Sequence, residues 1–244
     1  MSGARLVSFM LAAALAVLIL APLVSNSGGS RISCKHWSRI RIGEYVLENN
    51  VWGDKRARVC MFTGDGLIGW FWQKDFPSTH PIYPEIIYGK KPWLKHSTTD
   101  KLPMRIRELL SLAVEVNYTT MAKGIYNVLI DVWITRNKKA DVESIAAEVG
   151  IYLKPHKPPR DCELAEIDGY TYCYKVTEGG AGCKLYQFIF VGDEPPSRLD
   201  IMHFIRFVKL DKDLYVASVE FGNEVWQGYG VTIIKNITVE AVDP

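Results

Sequence analysis

The sequence predicts an all-β fold, a two-sheet sandwich of jelly-roll type with one helix, and three observations predict it. From Gly43 onward, short runs rich in Val, Ile, Tyr and Thr alternate with Gly, Pro, Asp and Lys punctuation. Several of these runs alternate apolar and polar side chains residue by residue, the period of a strand with one buried face. A single segment, residues 197–209, breaks the rule, with apolar residues at 201, 204, 205 and 208 in helical spacing. Strands that each carry one apolar face, with one helix among them, fit two packed layers.

In chain order the strand runs are 44–47, 58–62, 112–118, 124–135, 144–153, 170–176, 185–191, 214–221 and 229–239. The helix falls between the runs 185–191 and 214–221, and Ser197 with Asp200 three residues later supplies a capping pair. Residues 1–25 are different in kind. Arg5 precedes an uncharged run from Leu6 to Val24, followed by small polar residues. This is the pattern of a cleaved secretory signal, and the run is also long enough for a membrane anchor. Residues 26–32 read as a flexible joint and 33–244 as one domain, exposed outside the cytoplasm.

The net charge of +2, with no basic stripe, argues against a nucleic-acid partner. Seven Trp and twelve Tyr are many for this length; they serve core packing or, on the sharper reading, platforms on which the C–H faces of sugars stack. Cysteines at 34, 60, 162, 173 and 183 are expected to pair in an exported chain, with one left over. Cys173 and Cys183 flank the turn-like stretch 177–182, which suggests a hairpin bridge; Cys34 and Cys60 suit neighbouring strands; Cys162 is the odd one. No spacing is that of a metal site. The five His read as structural or surface residues. Asn117 and Asn236 begin glycosylation sequons.

Splitting the strands by face exposes the chemistry. Residues 126, 128, 130, 132 and 134 are core-like, and their other face carries Asn127, Leu129, Asp131 and Trp133. Ile145, Ala147, Val149, Ile151 and Leu153 are core-like, opposite Ala146, Glu148, Gly150 and Tyr152. Tyr215, Ala217, Val219 and Phe221 are core-like, opposite Ser218, Glu220, Gly222 and Glu224. Three fronts thus join carboxylates to aromatics with no Lys or Arg, a surface for a neutral, hydroxyl-rich polymer. Paired carboxylates across such a cleft are the minimum for glycoside hydrolysis, one to attack and one to protonate the leaving oxygen. Face-splitting leaves Asp131, Glu148, Glu220, Glu224 and Glu85 as candidates. A solvated acidic face, a non-catalytic glucan-binding module and an anchored surface protein are the competing readings.

From Cys34 to the end the chain resembles glycoside hydrolase family 12, of the prokaryotic type. The resemblance rests on Cys34-Lys-His-Trp37, the Asn49-Asn-Val-Trp-Gly53 element, Cys60, the Trp70-Phe-Trp72 strand and the stretch Tyr83-Pro-Glu-Ile-Ile-Tyr-Gly-Lys-Lys-Pro-Trp93. It continues with Tyr126-Asn-Val-Leu-Ile-Asp-Val-Trp133, Glu148-Val-Gly-Ile-Tyr152 and Phe221-Gly-Asn-Glu-Val-Trp226, in the family's order. The resemblance implies a jelly roll acting as a retaining endo-β-1,4-glucanase, with Glu148 as nucleophile, Glu224 as acid/base and Asp131 supporting the nucleophile. It implies a Cys34–Cys60 bridge, and Asn50 and Trp52 at a sugar subsite on the non-reducing side. Trp72, Tyr88, Trp93, Trp133, Tyr152 and Trp226 are the further expected binding residues. No metal or organic cofactor is implied, and the expected state is a monomer acting on cellulose, carboxymethyl cellulose or mixed-linkage glucan. Gly150 and Tyr152 depart from the family's common Met and Trp, which suggests an emptier cleft floor and room for a decorated chain such as xyloglucan. Residues 155–169 have no counterpart in the family pattern.

Overall fold

The computed structural model describes residues 30–157 and 160–243. The expected leader and most of the expected joint therefore lie outside the described residues. The strands are β1 (Arg31–Ser33), β2 (Arg39–Ile42), β3 (Tyr45–Glu48), β4 (Arg58–Gly64), β5 (Leu67–Lys74), β6 (Glu85–Gly89), β7 (Met104–Arg105), β8 (Ser111–Thr135), β9 (Ile145–Lys154), β10 (Glu163–Ile167), β11 (Tyr170–Glu178), β12 (Lys184–Phe190), β13 (Arg198–Asp200) and β14 (Tyr215–Val242). Among the described residues one α-helix, α1 (Ile201–Phe207), precedes β14.

Two pairs of expected strands are single long ones. The runs 112–118 and 124–135 are both β8, and 214–221 and 229–239 are both β14. The two strands pair antiparallel along their whole length, with Gly124 opposite Gly228. Both glycines have positive φ, at 124° and 121°, and a Cβ on either would run into the backbone of the other strand. Only glycine fits that crossing, and there the ribbon can pass from one layer to the other. Periodicity could not show this, because Gly and Lys at the bend read as loop punctuation.

The bent ribbon serves both layers. One layer runs β2-β3-β6-β14-β8-β9-β12-β11-β10 through the first half of β14 and the second half of β8. The other runs β1-β4-β5-β14-β8-β13 through the remaining halves. Between them lies one core, including Trp70, Trp72, Tyr126, Val128, Ile130, Val149, Ile151, Phe188, Phe204 and Phe221. Trp72 meets Tyr126 at 5.9 Å and Trp70 meets Phe221 at 6.3 Å between ring centroids, which ties the layers together.

The helix is shorter than its sequence pattern. Residues 198–200 pair with β8 as β13, so Ser197 is no cap; Asp200 caps α1 itself by accepting from Met202 N and also from Leu112 N. Phe204 then plugs the core edge-on to Tyr172 and Phe188, at 5.2 and 5.0 Å.

Cys34 and Cys60 are bridged, with Cα atoms 4.0 Å apart; Ser33 pairs with Met61, so the next residues along face each other. The second bridge joins Cys162 to Cys173, not Cys173 to Cys183. The register explains the correction: in the β11–β12 hairpin Cys173 faces Ile189, far from the turn beside which Cys183 sits, whereas on the β10 side it faces Leu164, two residues from Cys162. The part of segment 155–169 from Cys162 onward is thus pinned to β11 and supplies β10. Asn117 and Asn236, the sequon residues, are exposed and directly opposite one another.

Candidate active site

The cleft face crosses β9, β8 and β14. Along it Glu148 pairs with Trp133, Gly150 with Asp131 and Tyr152 with Leu129. On the other side of β8, Asp131 pairs with Glu220, Leu129 with Gly222 and Asn127 with Glu224. Glu148 and Glu224 therefore stand on the two strands that flank β8.

Two bulges change the expected faces. A register shift between Val216 and Ser218 turns Val216 into the main core and Ala217 onto the cleft side. Another, between Ile134 and Thr135, does the same for Ala146 and Ile145. Ala217 and Ile145 were expected in the core, yet they pack with Trp133 and Ala140 in a small cluster of their own. A bulge adds one residue and so reverses the alternation beyond it.

The carboxyl groups differ by environment. Burial pushes Glu224 up to about 7, against the lowering effect of an Asn127 Nδ2 hydrogen bond to its Oε2 (3.0 Å), and the nearby Glu148 charge adds to the rise. Asp131 is buried and raised well above the usual carboxylate range, first by burial and then by Glu148, Glu220 and Glu224. Glu148 is half-buried and backed by the β11–β12 turn: a Cβ on Gly179 would stand 2.6 Å from Glu148 Oε2 and 3.4 Å from Cys183 Sγ. Burial, then the Glu148 charge, pushes the Cys183 thiol up to about 11.

Beside these acids lies a buried ionic cluster. The Lys91 ammonium reaches Glu85 at 2.5 Å, Glu220 at 3.3 Å and Glu48 at 3.6 Å. Burial opposes its charge, but the three carboxylates outweigh that and hold its pKa above the usual lysine value. Glu85, raised by burial, accepts from Asn50 Nδ2 at 3.0 Å. So of the five candidate acids, Glu85 and Glu220 belong to the support of the cleft floor.

The expected binding residues divide. Trp52 and Trp93 are about half exposed; Trp52 lies 4.8 Å from the His80 ring and Trp93 stands edge-on to Trp133 at 5.0 Å. Tyr152 shares a small cluster with Leu129 and Tyr83, and its Oη accepts from Gln187. Trp226 is half-buried beside His156, at 5.6 Å between rings. Trp72 and Tyr88 are corrections: both are buried in the main core. Trp72 belongs to the layer without the acids, and Tyr88 shares the core-facing side of β6 with Ile86. The expected emptiness at Gly150 is also corrected. A Cβ there would lie 3.0 Å from the Tyr152 ring and 3.4 Å from Leu185, so these side chains fill the space.

The model of glycosyl hydrolase family 12 matches residues 43–242. The chain belongs to that family. Endoglucanase S of Pectobacterium parmentieri is 26% identical over 207 residues, 77% of this chain and 78% of that one. A family 12 xyloglucanase from Bacillus licheniformis has a similar structure, with a TM-score of 0.79 and 25% identity, covering 87% of this chain and 100% of that one. The endoglucanase cel12A from Rhodothermus marinus aligns with a TM-score of 0.73 and 21% identity over 87% of this chain and 100% of that one. The chain is a glycoside hydrolase, and its jelly roll is that of the family.

The site of this family 12 hydrolase also holds residues to which sequence reasoning gave no role. Tyr83 lies over Gly222, where a Cβ would stand 2.7 Å from its ring. Its buried hydroxyl is raised well above the usual tyrosine value, by burial and then by Asp131, Glu85, Glu220 and Glu224. Asn127 was visible on the acid-bearing face but had no role. Lys91 and His156 reach the site from loops, and no periodicity in the sequence reports on a loop's destination.

Proposed function

We propose that this chain is a retaining endo-β-1,4-glucanase in which Glu148 is the nucleophile and Glu224 the acid/base. The observation that carries this reading is the placement of two carboxyl groups on the strands that flank β8, one of them raised by burial. Glu224, raised to about 7, keeps its proton well above the ordinary glutamate range, and the Glu148 charge adds to that rise. A site with one acid poised to donate and another to attack is what double displacement requires. Glu148 attacks the anomeric carbon while Glu224 protonates the leaving oxygen, so that a glycosyl-enzyme forms and the chain's reducing-end fragment departs. Glu224, now ionised, takes a proton from water, which displaces Glu148 with net retention. Asp131, kept protonated by burial and its acidic neighbours, can donate a hydrogen bond to the Glu148 carboxylate.

Asn50 and Trp52 carry the non-reducing side of the substrate in this reading. Asn50 is pre-positioned by Glu85, and its Oδ1 in turn accepts from Trp52 N. A pure binding module would gain nothing from a buried acid at Glu224, whose ionisation is disfavoured. The two disulfides and the character of residues 1–25 support export to the cell exterior. Xyloglucan is the second substrate reading, favoured by the likeness to a xyloglucanase.

The test is reducing-sugar release from carboxymethyl cellulose, barley mixed-linkage glucan and xyloglucan. Glu148→Gln and Glu224→Gln are each expected to lose about three orders of magnitude or more on whichever glucan the wild type prefers. A wild type that binds these glucans and cuts none of them would sink the enzymatic reading.

A further inference from the structure

His156 lies in the segment that follows β9, on the surface, and nothing in the proposed chemistry uses it. Its contacts are nevertheless specific. Its backbone N–H donates to Asn127 Oδ1 at 2.8 Å, and its ring Nδ1 lies 3.0 Å from the same oxygen. Asn127 Nδ2 donates to Glu224 Oε2 at 3.0 Å. Asn127 is itself buried, and Glu224 half-buried.

The directions in this chain are forced. A backbone N–H can only donate, so the Asn127 atom facing it is the carbonyl oxygen. The amide nitrogen must then face Glu224, whose Oε2 can only accept. Because Oδ1 is an acceptor, the His156 Nδ1 carries a hydrogen. An oxygen that accepts from Nδ2 is the less basic of the two, which favours Oε1 as the bearer of the proton of a neutral Glu224.

We propose that His156 is a positioning residue for the acid/base, acting through Asn127 to fix which oxygen of Glu224 carries the catalytic proton and how firmly it is held. The inference rests on Glu224 being the acid/base. Two donors on Oδ1 polarise the amide, and a polarised amide is a stronger donor at Nδ2. Donation to Oε2 favours the ionised carboxyl, so it offsets part of what burial does and keeps the group able to release its proton. The packing of His156 against Trp226, two residues beyond Glu224, keeps the ring over this contact. The charged groups around His156 are Lys157 on its own segment, Lys154 on β9, Asp193 after β12 and Glu224 itself through Asn127. Burial, then Lys157, lower the His156 pKa, so the imidazole is neutral where Glu224 titrates.

The experiment follows kcat/KM against pH on soluble glucan for wild type, His156→Ala, His156→Gln and Asn127→Ala. Loss of the donor raises the Glu224 pKa, so the basic limb is expected to move to higher pH, by roughly 0.5 unit in His156→Ala and more in Asn127→Ala. His156→Gln, which keeps a side-chain N–H, is expected to return most of the shift. A uniform drop in rate with an unmoved limb would show a merely structural residue and overturn the proposal. In parallel, the Glu224 carboxyl is titrated by 13C NMR, its signal identified by its loss in Glu224→Gln. An upward move in His156→Ala supports positioning whether or not any glucan is cut, and an unchanged titration overturns it. A wild type inactive on every glucan, with the carboxyl still moving, would instead remove the functional reading on which the word catalytic depends.

Discussion

At the scale of single residues, the molecule accepts a local cost for its chemistry. Glu224 keeps a carboxyl in a buried place beside another acid, and its pKa of about 7 means that ionisation is disfavoured in the folded state. The linkage runs in one direction. The folded protein binds the Glu224 proton up to higher pH than the unfolded chain does, so stability falls as pH rises from the ordinary glutamate range through about 7. Glu224→Gln removes the penalty. The variant is expected to melt above wild type at pH 8 and level with it near pH 4, and scanning calorimetry at the two pH values checks this. An equal melting temperature at pH 8 would show that Glu224 is not held in the environment described. In the proposed chemistry the same residue would also set the basic limb of activity, because the acid step is lost as pH rises through about 7.

At the scale of elements, β8 and β14 decide the architecture because one glycine pair lets both cross between layers. Gly228→Ala is expected to destabilise the fold by about 2 kcal/mol or more, since Ala is strained at φ 121° and its Cβ would collide with the Lys123 carbonyl. Urea unfolding measures this; a loss near zero would mean that the ribbon bends by another route. The strands and their polarity were legible in the sequence from alternation. Their fusion into two long ribbons was not, because glycine at a crossing and glycine in a loop look alike. The bulges were likewise invisible: one extra residue at Ala217 and another beside Ile145 reversed local faces without altering composition.

At the scale of the whole molecule, two layers share one core and leave the outer face of one layer to the cleft. The helix α1 closes that core with Phe204 against Tyr172 and Phe188. Phe204→Ala is expected to cost about 3–5 kcal/mol, read from denaturant midpoints, with the pH profile of activity preserved while the protein remains folded. A shift of the profile would show that the core and the cleft are coupled. Lys91 is the counterpart on the cleft side, a buried cation that, with Arg39 on Glu48, lets three buried carboxylates share the cleft floor.

The sequence by itself determined that the chain is a β sandwich with one helix, and that acids and aromatics share one side of three strands. Alternation and residue type are local properties and survive without coordinates. They left five carboxylates unranked, and the resemblance to the family adds the expectation that Glu148, Glu224 and Asp131 are the working ones. Tertiary structure decided which aromatic belongs to which side. Trp72 and Tyr88 fill the core while Trp52 and Trp93 remain exposed, because a ring's role depends on which layer and face its strand presents. It also decided that Cys173 joins Cys162, by hairpin register, and that His156 reaches Asn127, which reaches Glu224. Contacts of that kind are set where loops return to the sheet, and sequence alone carries no measure of that distance.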